Sequence, residues 1–112
     1  MNTVVLQKSL EIYLSLSGLI TSWPKKERHT LGIRVETQSL LLIEQIVSAE
    51  QSLPVLKDRY LFEASVKAEI LKILLRCAIM RQLVKETNYF TLAGKLVEIG
   101  KMIGGWIKSL RR

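Results

Sequence analysis

Lys72 and Arg76 stand four residues apart, one helical turn, in a segment whose other residues are mostly apolar. Five more bases, Lys95, Lys101, Lys108, Arg111 and Arg112, fall in a closing stretch whose only acid is Glu98. The chemistry open to such groups is charge-assisted binding of phosphate or carboxylate oxygens. Several of them on one surface would track a phosphate backbone with marked salt dependence. Arg28, beside the single histidine His29, is a further candidate. Base-specific readout is not indicated, because few aromatics are placed for stacking.

Catalysis is poorly supplied by comparison. His29 has no second histidine or cysteine near it to complete a metal site, and no Ser/His/Asp arrangement suggests a nucleophile. Cys77 lies in an apolar row and reads as a small core residue. Gly104-Gly105 lie inside a helical pattern, not in a phosphate-cradling loop after a strand. The expectation is a non-enzyme with no cofactor, metal or small-molecule substrate.

The 112 residues carry a net charge of +7, and the excess is unevenly placed. Residues 1–53 balance. Residues 54–86 hold seven bases against four acids, and residues 87–112 hold five against one. A basic half points to a polyanionic partner, with mere solubility as the plainer alternative.

The elements that must position these bases are helices, because apolar periodicity is helical almost throughout. The first spans about 3–21, with Leu6, Leu10, Tyr13, Ser17 and Ile20 on one face. Ser22-Trp23-Pro24 breaks the chain, and Pro24 suits the first turn of a second helix running to about 52. Its core row is Leu31, Val35, Leu42, Ile46 and Ala49. Leu53-Pro54 opens a third helix to about Lys85, and residues 86–90 lead into a fourth. Connections this short predict an up-down-up-down four-helix bundle, one domain over 1–112.

The fourth helix puts Leu92, Leu96, Ile99, Ile103, Trp106 and Leu110 on one stripe, with Lys101, Lys108 and Arg112 opposite. Ala93, Val97, Gly100 and Gly104 form a small-residue flank open to close approach by another backbone. Interior glycines cost about 0.5–1 kcal/mol each relative to alanine, so such an approach is expected to repay them. The third helix has two apolar faces, Val66/Ile70/Ile73/Cys77/Val84 and Leu61/Ala64/Ala68/Leu71/Leu75/Ile79. Lys72 and Arg76 lie in the gap between. The second helix likewise shows Ile33, Leu40, Ile43 and Val47 apart from its core row. One bundle needs one stripe per helix, so the surplus predicts self-association; the alternative is a wide-cored monomer.

No apolar run approaches the roughly 18–20 residues needed to span a bilayer, and the first residues lack a basic signal-peptide region. One cysteine excludes an internal disulfide, so a soluble, reduced, cytoplasmic protein is the default.

Two stretches carry a family likeness. Trp23-Pro24-Lys25-Lys26-Glu27-Arg28-His29-Thr30-Leu31-Gly32 resembles the entry to the second helix in a family of small bacterial four-helix-bundle proteins. Glu98-Ile99-Gly100-Lys101-Met102-Ile103-Gly104-Gly105-Trp106-Ile107 resembles the last helix of one branch, the accessory variability determinant (Avd) of diversity-generating retroelements. Leu71-Lys72-Ile73-Leu74-Leu75-Arg76 is similar to that branch's third helix. The resemblance implies a homopentameric barrel of bundles that binds a reverse transcriptase and its template RNA and cDNA, supporting mutagenic cDNA synthesis without catalysis of its own. By position it implies Lys72 and Arg76 as the leading contacts, followed by Arg28, Lys101, Lys108, Arg111 and Arg112. Any role of a longer basic tail is expected to be absent or to fall to Arg111-Arg112. The alternative within the fold is the protein of ribosomal RNA intervening sequences, binding RNA or ribosomal components. A membrane-surface role for the fourth helix is a third reading, disfavoured because its apolar stripe serves as bundle core.

Overall fold

The computed structural model of the chain describes residues 3–111. Four helices make it up: α1 (Thr3–Ile20), a compound α2 covering 25–51, α3 (Pro54–Met80) and α4 (Glu86–Leu110). The second is compound because α-helical Lys25–Glu27 leads into a π-helical Arg28–Gly32 before α-helical Ile33–Gln51. Each helix packs on its sequence neighbours, and α4 closes the ring on α1. Ion pairs fix the directions: Glu27 near the start of α2 meets Arg81 just past α3, while Asp58 near the start of α3 meets Arg111 just past α4. The result is an antiparallel four-helix bundle of 46 × 23 × 19 Å.

The breaks have local causes. Leu53 is extended at φ −62°, ψ 148°, as a residue before proline must be, and Pro54 opens α3 where no N–H is needed. At the end of α1 the hydroxyls of Thr21 and Ser22 donate to the carbonyls of Gly18 and Leu19 at 2.6 and 2.8 Å. Trp23 then turns inward and closes that end of the core, almost fully buried. The π turn brings buried Gly32 against it: a Cβ there would stand 2.9 Å from Ile20 Cγ2 and 3.3 Å from the Glu27 carbonyl oxygen. Only glycine fits so close an approach.

The core is built from Ile12 and Leu16 of α1, Val35, Leu42 and Ile46 of α2, Leu61, Leu71 and Leu75 of α3, and Leu96, Ile99 and Ile103 of α4. The rows expected on α2 and α4 are the ones that turn inward, although Leu110 is exposed and Trp106 half-buried at the last turns of α4.

Three expectations are corrected. On α1 the inward row is Val5, Ser9, Ile12, Leu16 and Ile20, and Leu10 is 39% exposed. Leucines encircle this helix, and the true core row was disguised by Ser9, whose hydroxyl is satisfied by the Val5 carbonyl at 2.8 Å. Cys77 is exposed, not core, because α3 turns inward its alanine-rich face, Leu61, Ala64, Ala68, Leu71, Leu75 and Ala78. Small side chains there let neighbouring helices come close and leave the Val66–Cys77 row outside. Finally α3 ends at Met80, not near Lys85. Gln82 takes a left-handed conformation at φ 61°, with Leu83 N–H donating to the Ala78 carbonyl and Gln82 N–H to that of Ile79. This is a Schellman stop without its usual glycine, and buried Val84 anchors the short connection into α4.

Candidate functional site

Lys72 and Arg76 sit on the side of α3 that turns toward α4, one turn apart. Glu69 holds the Lys72 ammonium at 2.7 Å, an i,i+3 pair that leaves the lysine side chain 29% exposed. Arg76 is open to solvent. An exposed pair of this kind contributes about 0–1 kcal/mol, so its use is orientation more than stability.

The fourth-helix bases lie elsewhere. Lys101 and Lys108 are exposed on the outer side of α4, and Arg111 reaches Asp58 at 3.4 Å. That last contact sets Arg111 level with Asp58, so Lys72 and Arg76 stand about 21–27 Å further along the bundle at 1.5 Å per residue. Arg28 is at the other end, exposed beside His29 in a shallow groove with Ile20, Thr21, Ile33 and Glu36. Arg112 lies outside the described residues. By the same rise Lys101 lies about 15 Å from Arg111 and so nearly level with Lys72, whereas Arg28 and Arg111 mark opposite ends of the bundle.

Acids offset little of this charge on α4. Glu98 is engaged by Lys8 of α1 at 2.6 Å, and its hydrogen bond, then its charge, holds the Lys8 proton above the usual lysine range. On the small flank of α4, a Cβ built on Gly100 or Gly104 would meet no atom within 4 Å apart from the adjoining residues and the helix's own backbone, and the same holds at Gly94 and Gly105.

One basic cluster is invisible to helical spacing. Lys25 and Lys26 open α2, Lys85 immediately precedes α4, and all three are exposed at the end where Arg28 lies. The signal was present in the Pro-Lys-Lys entry, but only the fold brings residue 85 to the same end of the bundle.

No group of three or more His, Cys, Asp or Glu side chains able to hold a metal ion occurs among the described residues. No helix among them is long and apolar enough to cross a membrane.

Fold and surface together define an all-helical antiparallel bundle with exposed bases on its surface. The chain belongs to the bAvd-like family, whose profile matches residues 3–110. No curated protein sequence matches it. Among solved structures it is similar to a protein of unknown function from the S23 ribosomal protein family of Bacteroides thetaiotaomicron. That likeness has a TM-score of 0.86 at 20% identity and covers 95% of this chain and 96% of that one, so it speaks to the fold alone.

Proposed function

We propose that this protein is a non-catalytic accessory protein of a diversity-generating retroelement, which binds the reverse transcriptase and its template RNA or cDNA through basic surfaces of α3 and α4. The observation that carries the reading is membership of the bAvd-like family over residues 3–110, joined to exposed bases at Arg76, Lys101 and Lys108 and the half-buried Lys72.

The working form is a homo-oligomer, five copies by resemblance. Its support is the apolar surface left outside the bundle: Ile33, Leu40 and Val47 on α2, and Val55, Phe62 and Ile73 on α3. Patches of this kind are seldom left in water. One copy's α2 row set against the next copy's α3 row would be a head-to-tail contact, which forms a ring where the rotation between copies closes.

The test is substitution of Lys72→Glu with Arg76→Glu. Helicity and the molar mass by light scattering should be retained, while co-purification with the reverse transcriptase and RNA affinity fall at least tenfold. Unchanged binding with an unchanged salt slope would remove these two residues from the site. A monomeric wild-type protein would end the ring. RNA binding without any affinity for the reverse transcriptase would favour the ribosomal RNA intervening-sequence reading.

A further inference from the structure

The outer faces of α2 and α3 share a pattern that the folding of one subunit does not use. On α2, Ile33, Thr37, Leu40, Glu44, Val47 and Gln51 recur at alternating steps of four and three, and all of them are exposed. On α3, Val55, Arg59, Phe62, Val66, Glu69 and Ile73 recur in the same way, with only Val66 half-buried. A row with this heptad spacing keeps to one side of its helix and is the pattern of a helix–helix seam. At 100° per residue both rows fall opposite the buried ones, Val35/Leu42/Ile46 on α2 and Leu61/Ala68/Leu75 on α3.

We infer that the two rows meet between copies of this chain as an antiparallel seam of fixed register, with Ile33 against Ile73, Leu40 against Val66, and Glu44 of one copy paired with Arg59 of the next; the inference rests on the ring reading above and names the residues that set its partner and register. Levels within the subunit are fixed by Lys57, whose ammonium donates to the carbonyls of Ala49 and Glu50 at 2.7 and 3.1 Å. Counting back along α2 and forward along α3 from that contact, with the same rise in both helices, Leu40 comes level with Val66, Thr37 with Glu69 and Ile33 with Ile73. A closed ring has no rise along its axis, so upright subunits bring α2 and α3 of neighbouring copies together at these same levels. Apolar then meets apolar and polar meets polar.

Charge separates this seam from its alternatives. Glu44 is the one charged residue of the α2 row. On the α3 row Glu69 is held by Lys72 at 2.7 Å, which leaves Arg59. Neither Glu44 nor Arg59 makes an ion pair within the subunit among the described residues. Arg59 is level with Val47, about 4.5 Å along the axis from Glu44, a step that an arginine side chain spans. Phe62, level with Glu44 and 60% exposed, enters the space between Leu40 and Val47. Two α3 rows laid antiparallel at full overlap would set Arg59 against Arg76, and two α2 rows would set Glu44 against Leu40. Repulsion between like charges counts against the first, and an acid desolvated on a leucine against the second.

The experiment is light scattering on a sizing column with the full chain and three variants: Glu44→Arg, Arg59→Glu and the double exchange. Each single variant sets like charges across the seam and should raise the concentration of half-dissociation at least tenfold, while the double exchange restores the wild-type mass. Helicity by circular dichroism should hold in all three, because both residues lie opposite the core. Register is read separately in a Cys77→Ser background. Leu40→Cys with Val66→Cys should oxidise to a ladder of linked subunits on non-reducing gels, whereas Leu40→Cys with Ile73→Cys, about 10 Å out of step, should not. Wild-type mass in both single variants, or linkage at 73 in place of 66, would overturn the register and leave the ring standing. A double exchange that stays dissociated would overturn the Glu44–Arg59 pair. A monomeric wild-type protein would remove the underlying ring as well.

Discussion

The two ends of the bundle use their cations in opposite ways. At the end holding the α2–α3 connection, Lys57 donates to the carbonyls of Ala49 and Glu50 at 2.7 and 3.1 Å, finishing α2. Lys108 lies in the last turn of α4, and Arg111 beyond it pairs with Asp58. These positive charges meet the negative pole of a helix and help to hold the fold. At the opposite end Lys25, Lys26 and Lys85 meet positive poles instead. Glu27 and Glu86 obey the dipole rule there; the lysines do not. Charge at Lys57, Lys108 and Arg111 stabilises the subunit, whereas charge at Lys25, Lys26 and Lys85 opposes the helix dipoles.

That contrast can be broken or sharpened by measurement. The largest expected effect is steric. Gly32→Ala should cost about 1–3 kcal/mol in urea unfolding, because its methyl group meets Ile20 and the Glu27 carbonyl oxygen. Gly104→Ala, with open space around it, should instead raise subunit stability by about 0.5–1 kcal/mol. If Gly104→Ala also lowers the oligomer mass, a partner backbone sits on that flank. Equal effects of the two substitutions would refute the close packing described around the π turn.

Next in size is Lys57→Met, which leaves the α2 carbonyls to water and should lose about 1 kcal/mol. A change much smaller than that would mean the lysine contact is incidental. The smallest effect is the most diagnostic. Lys25→Glu with Lys26→Glu should stabilise the fold by about 0.3–1 kcal/mol per charge, while Lys108→Glu should destabilise it by a similar amount. Both changes should shrink in about 1 M salt, where screening is complete within about 3 Å. Shifts of the same sign in thermal unfolding would erase the distinction between the ends.

The legibility of the core in the sequence differs from helix to helix. In α4 a single apolar row dominates the wheel, and in α2 the row of Val35, Leu42 and Ile46 turns inward while Ile33, Leu40 and Val47 stay outside, so these residues and Leu92, Leu96, Ile99 and Ile103 are found inside as expected. In α1 and α3 more than one row is apolar, and composition misleads: the inward face of α1 contains Ser9, and that of α3 alternates leucine with alanine while the bulkier Val66, Ile70 and Ile73 stay partly or largely outside. The candidate site was legible only as residue types. Lys72 and Arg76 share a turn, as their spacing requires, while Arg28 and Arg111 stand at opposite ends of the bundle.

The sequence by itself determined the helices, their proline-marked starts at Pro24 and Pro54, the basic second half and the family. Those properties are local, set by a 3.6-residue period, by the missing N–H of proline and by the residues in contact along the chain. Only the tertiary structure decided which face of α1 and α3 is core, where α3 stops at a glycine-free left-handed turn, and that Lys25, Lys26 and Lys85 share one end. Those outcomes depend on how closely neighbouring helices can approach and which ends the ring of four helices brings together, and no window of sequence contains that information.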